Sequence, residues 1–326
     1  MVLLSAVYCF ADSNSTVQTG IPIIRTQRYS LFGALYRAQG IASDSTNLYF
    51  GSNQFVFSFS NITKTSLNGK LIRANLNAIP FKAKLDLCNH VGGIDFADGF
   101  IWAGIEDNIE RKGHKYNNPY VAVYDAETTK LVRYKKLPLA LRVSQDNGDG
   151  IITADECKLI YSKQDYNEQT DIRMHTDGIP WVVADTERGY FYSAEWSNAK
   201  YINVFDIETF EFVKLIEIVD GNGNPYSYTD PDGNISEGLH RCQGADMFEG
   251  KLFCSTDIGE SHPVITLDFD KIEGKAVADV LFERNLGDCE CEDGTVYKNS
   301  DRIIYATNYI DGITVYVRYY DISSLV

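Results

Sequence analysis

Apolar and polar positions alternate with period two through most of this chain, in short runs bounded by Gly, Asn and Asp. That pattern predicts short β-strands rather than amphipathic helices. Five times a Gly-centred lead-in precedes a hairpin of two apolar strands. The lead-ins are YRAQGIASDSTNLYFGS around Gly40, CNHVGGIDFADGFIWAGIED around Gly93, MHTDGIPWVVADTERGYFYSAEWSN around Gly178, HRCQGADMFEGKLFCSTD around Gly244 and CECEDGTVYKNSDRIIYATN around Gly294. Three are followed by a further alternating run, YVAVYDAETTKLV, YINVFDIETFEFVKL or VITLDFDKIEGK. A repeat of about 40–50 residues with several short strands per unit is the signature of propeller blades, none of which buries its faces alone. The expected fold is all-β, a five-bladed β-propeller. A sixth blade requires the N-terminal segment to form a divergent blade of its own.

The last repeat ends one strand short of four, and IPIIRTQRYSLF, ahead of the first lead-in, is expected to fill that place and close the ring. The longest gap, Gly93 to Gly178, holds an insertion at about 142–171, and the next gap holds the turn-rich loop DGNGNPYSYTDPDGNISEG. In a four-stranded meander, the lead-in to the inner strand and the loop after the second strand share one face. That rule places His90, His175 and His240, from the lead-ins, beside His114 and His262, from the loops. Glu106, Asp107, Glu195, Asn198, Asp257, Glu260, Asn308 and Asp311 map there too, and both insertions decorate the same side. Loops held on a rigid scaffold are where binding and catalytic groups concentrate.

Next to the lead-in glycines, Gln39, His90, His175, Asp177, His240, Gln243, Glu292 and Asp293 crowd toward the ring axis. His90, His175, His240, Asp177 and Glu292 are the catalytic or metal-binding candidates, since clustered carboxylates raise one another's pKa and imidazoles bind metals. The alternative is a solvated polar tunnel. Trp102, Trp181, Tyr49, Phe50, Tyr190 and Tyr192 alternate within strands and read as core. Trp196, at a strand end, stands apart as a surface for stacking on a ligand such as a sugar ring. No GxSxG elbow, Walker loop or GxGxxG fingerprint occurs.

The net charge of −15 disfavours nucleic acid as a partner. The opening MVLLSAVYCFADS reads as a signal peptide over residues 1–11, without a basic n-region, leaving one domain over 12–326. Sequons at Asn14, Asn61 and Asn234 agree with a secreted glycoprotein. Of seven cysteines, loss of Cys9 leaves an even six, from which a Cys242–Cys254 disulfide is expected; Cys289 or Cys291 is within reach of Cys88 at a neighbouring blade. No stretch approaches the ~18–20 apolar residues of a membrane span.

Two resemblances add to this reading. QDNGDGIITADE, within the insertion, is similar to an EF-hand calcium loop over about a dozen residues, with Gly150 at the sharp turn and Ile152 at the apolar position. The likeness implies calcium held by Gln145, Asn147, Asp149, the Ile151 carbonyl, Thr153 and Glu156, with ADECKLIYSK starting an exiting helix. Gln145 stands where that family has Asp, which removes one charged ligand. Over most of its length the chain resembles the secreted and periplasmic β-propellers related to gluconolactonase, strictosidine synthase and plant-type glutaminyl cyclotransferase. The likeness rests on QG-I-A…LYFGS, GG-I-D…IWAGIE and QG-A-D…LFCSTD. That group includes metal-dependent hydrolases and plain binding scaffolds. The sequence favours an extracellular calcium-binding scaffold whose loop-rich face meets a protein or glycan. The alternative is a secreted metal-dependent hydrolase of ester, lactone or glycosyl bonds working at the channel mouth.

Overall fold

The computed structural model describes residues 21–53, 60–109, 117–145, 147, 149–229, 233–258, 262–284, 286–287 and 289–326. Among them are five antiparallel meanders of four strands. The first runs Ile41–Ser43, Asn47–Ser52, Asn61–Ser66 and Leu71–Asn75; the second His90–Ala97, Phe100–Asp107, Asn117–Asp125 and Leu131–Lys136. The third runs Val183–Asp185, Tyr190–Ser193, Tyr201–Asp206 and Phe212–Val219; the fourth Cys242–Phe248, Lys251–Thr256, His262–Asp268 and Lys275–Arg284. The fifth takes Glu290–Asn299, Arg302–Asp311 and Thr314–Asp321 from the C-terminal end. Its fourth strand is Ile23–Tyr29, paired antiparallel with Thr314–Asp321, so the two ends of the chain close one sheet as expected.

The period-two pattern explains the packing. In Phe100–Asp107, Ile101, Ala103 and Ile105 face the first meander, while Trp102 faces the third. In Asn47–Ser52, Tyr49 meets the second meander, and Leu48 and Phe50 meet the fifth. Both faces of a sheet are therefore apolar, because each is covered by a neighbour. The third and fourth meanders share one cluster, and the fourth and fifth share another around Phe253, Val264, Phe282 and Tyr305. Every neighbouring pair has its own core, and the last packs on the first.

The inner strands touch in chain order around an axis. Glycine allows that approach. A Cβ on Gly40 would lie 2.7 Å from the Gly92 carbonyl, and one on Gly244 would overlap the Asp293 side chain. Buried aspartates then staple the ring. Asp293 Oδ2 accepts from Ile41 N (2.9 Å) and Ile94 N (3.1 Å), tying the fifth meander to the first and second. Asp95 accepts from Ala184 N (2.8 Å), and Asp246 from Val296 N and Thr295 Oγ1. Each carboxyl satisfies donors that a narrow axis leaves without a ladder partner.

Three expectations change. The insertion is β rather than partly helical: Ala140–Val143 pairs with Cys157–Ile160 and with Ile172–Arg173, and Ile152–Thr153 pairs with the outer strand of the third meander. The expected exiting helix is a single 3-10 turn, Ala154–Glu156, because the following CKLI is drawn into that sheet. The Cys242–Cys254 disulfide is absent: the hairpin register sets Cys242 opposite Thr256 and Cys254 opposite Ala245, so the two are diagonal and do not face each other. Cys88, Cys157, Cys242, Cys254 and Cys291 are free thiols. At the Asn61 sequon the amide is 1% exposed and donates to Leu35 O, so a glycan has no access; Asn234 is exposed. The signal-peptide segment, Asn14, Cys9, His114 and Glu260 lie outside the described residues. Among the described residues no helix is long and apolar enough to cross a membrane.

Candidate active site at the mouth of the ring

A cavity of about 240 Å³ opens where the five inner strands begin. Gln39 comes from the first meander's lead-in, His90 and Gly92 from the second's, Asp177 and Pro180 from the third's, Gln243 from the fourth's, and Glu290 and Glu292 from the fifth's. Contributions from all five place the cavity on the axis. Glu106 and Asn108, from the end of the second meander's second strand, complete one wall, and Trp196 stands on another. Among the described residues its titratable lining is Glu106, Asp177, Glu290, Glu292 and His90, with no Lys or Arg, a field that repels anions.

Glu106 is 3% exposed and fixed from two sides. Its Oε2 accepts from Ile179 N, and its Oε1 lies 3.1 Å from His90 Nδ1. His90 in turn places Nε2 2.8 Å from Gln39 Oε1. The backbone reaches Glu106 because Gly178 adopts φ +112° and carries no side chain; a Cβ there would sit 2.6 Å from Glu106 Oε2. Asn308 donates to the Gln39 carbonyl and to Arg37 O (3.1 Å), holding the first lead-in in place.

Glu292 differs in character. It is 6% exposed and faces the cavity, and its carboxyl has no hydrogen-bond partner among the described residues. Burial, then the neighbouring Glu290 charge, holds its pKa well above the usual carboxylate range. Both effects favour the protonated form. Beside it, Trp196 Nε1 donates to Gln243 Oε1 (3.0 Å), and the Arg241 guanidinium lies 5.3 Å from the Trp196 ring. Arg241 sits at φ +48°, a conformation seldom taken by a non-glycine residue, and pairs with Asp257 at 2.7 Å.

Of the five catalytic candidates from sequence, His90, Asp177 and Glu292 line this cavity. His240 lies in a neighbouring one, bonded through Nδ1 to Asn198 Oδ1 (2.8 Å). His175 is fully buried between Pro138 O (2.6 Å) and Ser193 Oγ (2.7 Å), and burial lowers its pKa to about 4. Among the described residues no three His, Cys, Asp or Glu side chains converge to hold a metal ion. Glu290 went unnoticed in the sequence beside two cysteines, although E-C-E puts Glu290 and Glu292 on one strand face.

The calcium candidates gather in one tight loop. Glu156 Oε2 accepts from Thr153 N (2.9 Å) and Oγ1 (2.8 Å), and its Oε1 from Asn147 N (3.3 Å). Asp149 accepts from Ile151 N (2.8 Å), and the Gln145 N–H bonds Glu156 O (3.1 Å). The donor set suits a hard cation, but binding one would displace the N–H donors now on Glu156.

No family profile and no curated protein sequence matches the chain. Solved structures do. A glutaminyl cyclase from Myxococcus xanthus aligns with TM-score 0.50 and 9% identity over 92% of this chain and 96% of its own. RS223 β-xylosidase aligns with TM-score 0.51 and 10% identity over 90% and 94%. A gluconolactonase from Xanthomonas campestris, at TM-score 0.41 and 11% identity over 93% of each chain, is too distant to carry an argument. Identities this low speak to architecture only, and the architecture they share with this chain is the β-propeller.

Proposed function

We propose that this chain is a five-bladed propeller hydrolase that cleaves a glycosidic bond at the channel mouth by acid–base catalysis. The observation that carries the reading is Glu292: a largely buried carboxyl whose surroundings favour its protonated form, lining a cavity that also holds the fixed Glu106. Cleaving an acetal needs a proton for the departing oxygen and a base for the incoming water. Glu292 gives its proton to the leaving oxygen as the C–O bond breaks. Glu106, oriented by Ile179 N and His90, takes a proton from the water that bonds to the anomeric carbon. Proton exchange with solvent then restores both groups. The amides of Gln39 and Gln243 and the Trp196 ring, in a lining without Lys or Arg among the described residues, suit a neutral, hydroxyl-bearing substrate.

This reading takes the hydrolase alternative over the scaffold, because a plain scaffold gives no reason to bury Glu292 unpaired. It routes no step through a metal. Export to the extracellular space remains a companion proposal, supported by the hydrophobic opening and the exposed Asn234 sequon; N-terminal sequencing of protein recovered from culture medium tests it. The catalytic test is turnover of a panel of nitrophenyl glycosides. Glu292→Gln and Glu106→Gln are expected to lower kcat by about 10²–10⁴-fold on substrates with poor leaving groups. Turnover unchanged in both variants, or none by the wild type, would refute the reading.

A further inference from the structure

A second, larger cavity of about 690 Å³ adjoins the channel mouth. It is built where the two sequence insertions meet: Tyr166 and Asp171 come from the first, Ser236 and Glu237 from the second. The third wall is the segment after Tyr190–Ser193, which divides its side chains between the two spaces. Glu195 and Asn198 line the large cavity, while Trp196 lines the mouth. Arg173 also bridges them, pairing at 2.9 Å with Asp177 of the mouth. The size is typical of a ligand site.

The charges of the wall are already used among themselves. Lys200 pairs with Glu237 (2.7 Å), and Arg142 takes Asp171 at 2.6 and 2.9 Å. Glu195 is the exception. It is 7% exposed, its Oε2 is buried without a hydrogen-bond partner, and Arg173 comes no nearer than 3.8 Å. Burial lifts its pKa to about 8, so it presents a neutral acid at physiological pH. A wall of self-paired ions, a buried carboxyl oxygen without a hydrogen bond and the rings of Tyr166 and Tyr201 offers little to hold an anion. It offers hydrogen bonds and flat apolar faces, the combination that pyranose and furanose rings use.

We propose that this cavity binds the continuing units of a neutral oligosaccharide whose terminal unit enters the channel mouth, with Glu195 hydrogen-bonding a sugar hydroxyl. The assignment rests on the glycosidic reading of the mouth. It adds that the protein acts on chains rather than on isolated sugars.

The test is calorimetric titration of the full chain with monomer through hexamer of xylose, arabinose, glucose, galactose and mannose series. In one series, oligomers of three or more units are expected to bind at least tenfold more tightly than the monomer. Glu195→Ala should remove that gain and leave monomer binding within about twofold. Ser236→Trp, which fills the cavity from a hairpin position, should do the same should the buried substitution impair folding. No length-dependent gain in any series overturns the proposal, even where nitrophenyl glycosides are hydrolysed. A gain that survives both variants overturns it too. A length-dependent gain in a protein that hydrolyses nothing leaves this site standing and removes the catalytic reading.

Discussion

Replacing Gly178 by alanine should displace Glu106 and cost more than backbone strain alone. The residue holds φ +112°, a region nearly closed to side chains, and strain of that kind costs about 1–3 kcal/mol. The new Cβ would lie 2.6 Å from Glu106 Oε2 and 3.1 Å from Oε1, so the carboxylate must leave its place. It then loses the Ile179 N–H, a bond to a charged group worth about 1.5–3 kcal/mol. The two effects together predict a loss of about 2.5–6 kcal/mol in urea unfolding. The part due to Glu106 is separable by a double-mutant cycle. In a Glu106→Ala background the clash and the bond are already gone, so Gly178→Ala should cost about 1.5–3 kcal/mol less. Costs equal within about 0.5 kcal/mol in the two backgrounds would show that Gly178 does not position Glu106.

Three further outcomes follow from other parts of the ring. His175, with its pKa lowered to about 4 against an ordinary 6.5, contributes stability that is fully present above pH 6.5 and lost as pH falls through 4. That difference is about 3 kcal/mol, and His175→Gln should flatten the urea-unfolding profile across this window; an unchanged slope counts against a neutral buried imidazole. Asp95 is shifted the other way, its pKa raised by burial and by Asp246, so the folded state holds a proton that the unfolded state gives up. Asp95→Asn should therefore gain stability relative to wild type as pH rises above the ordinary carboxylate range, with no pH-dependent gain below it; a gain independent of pH would contradict this. Millimolar calcium should raise the melting temperature of the wild type, and Glu156→Ala should abolish that rise while lowering stability slightly in chelator through loss of its bonds to Thr153. A calcium response that persists in the variant would place the ion elsewhere.

Much of the ring was legible because its determinants are local. The lead-in glycines are required where inner strands approach one another, and period-two alternation with both faces apolar marks sheets covered on both sides. Trp196 was separable from Trp102 and Trp181 because it falls at a strand end; it is partly exposed at the mouth, whereas the other two are 2% and 0% exposed. His175 misled for a physical reason. Seven residues separate it from Val183, where its inner strand begins, and that longer lead-in tucks the ring beneath the insertion against Pro138. His90, by contrast, begins its own strand and stays at the mouth. The insertion kept the loop chemistry of QDNGDGIITADE, but pairing with Ala140–Val143 drew the residues after it into a strand. The disulfide expectation rested on two cysteines flanking one hairpin, but that hairpin's register sets each opposite another residue. Glu292 was a candidate by position alone; its missing partner is a tertiary fact that no local pattern carries.

Carboxyl carbon-13 NMR of glutamate-labelled protein, with Glu292→Gln to assign the resonance, reads the state of that group directly. The catalytic account predicts that the Glu292 signal stays at its acid position through pH 7 and moves only at higher pH. A signal that titrates in the ordinary carboxylate range would mean that the channel mouth holds no proton to give, and the proposed chemistry would fail with it.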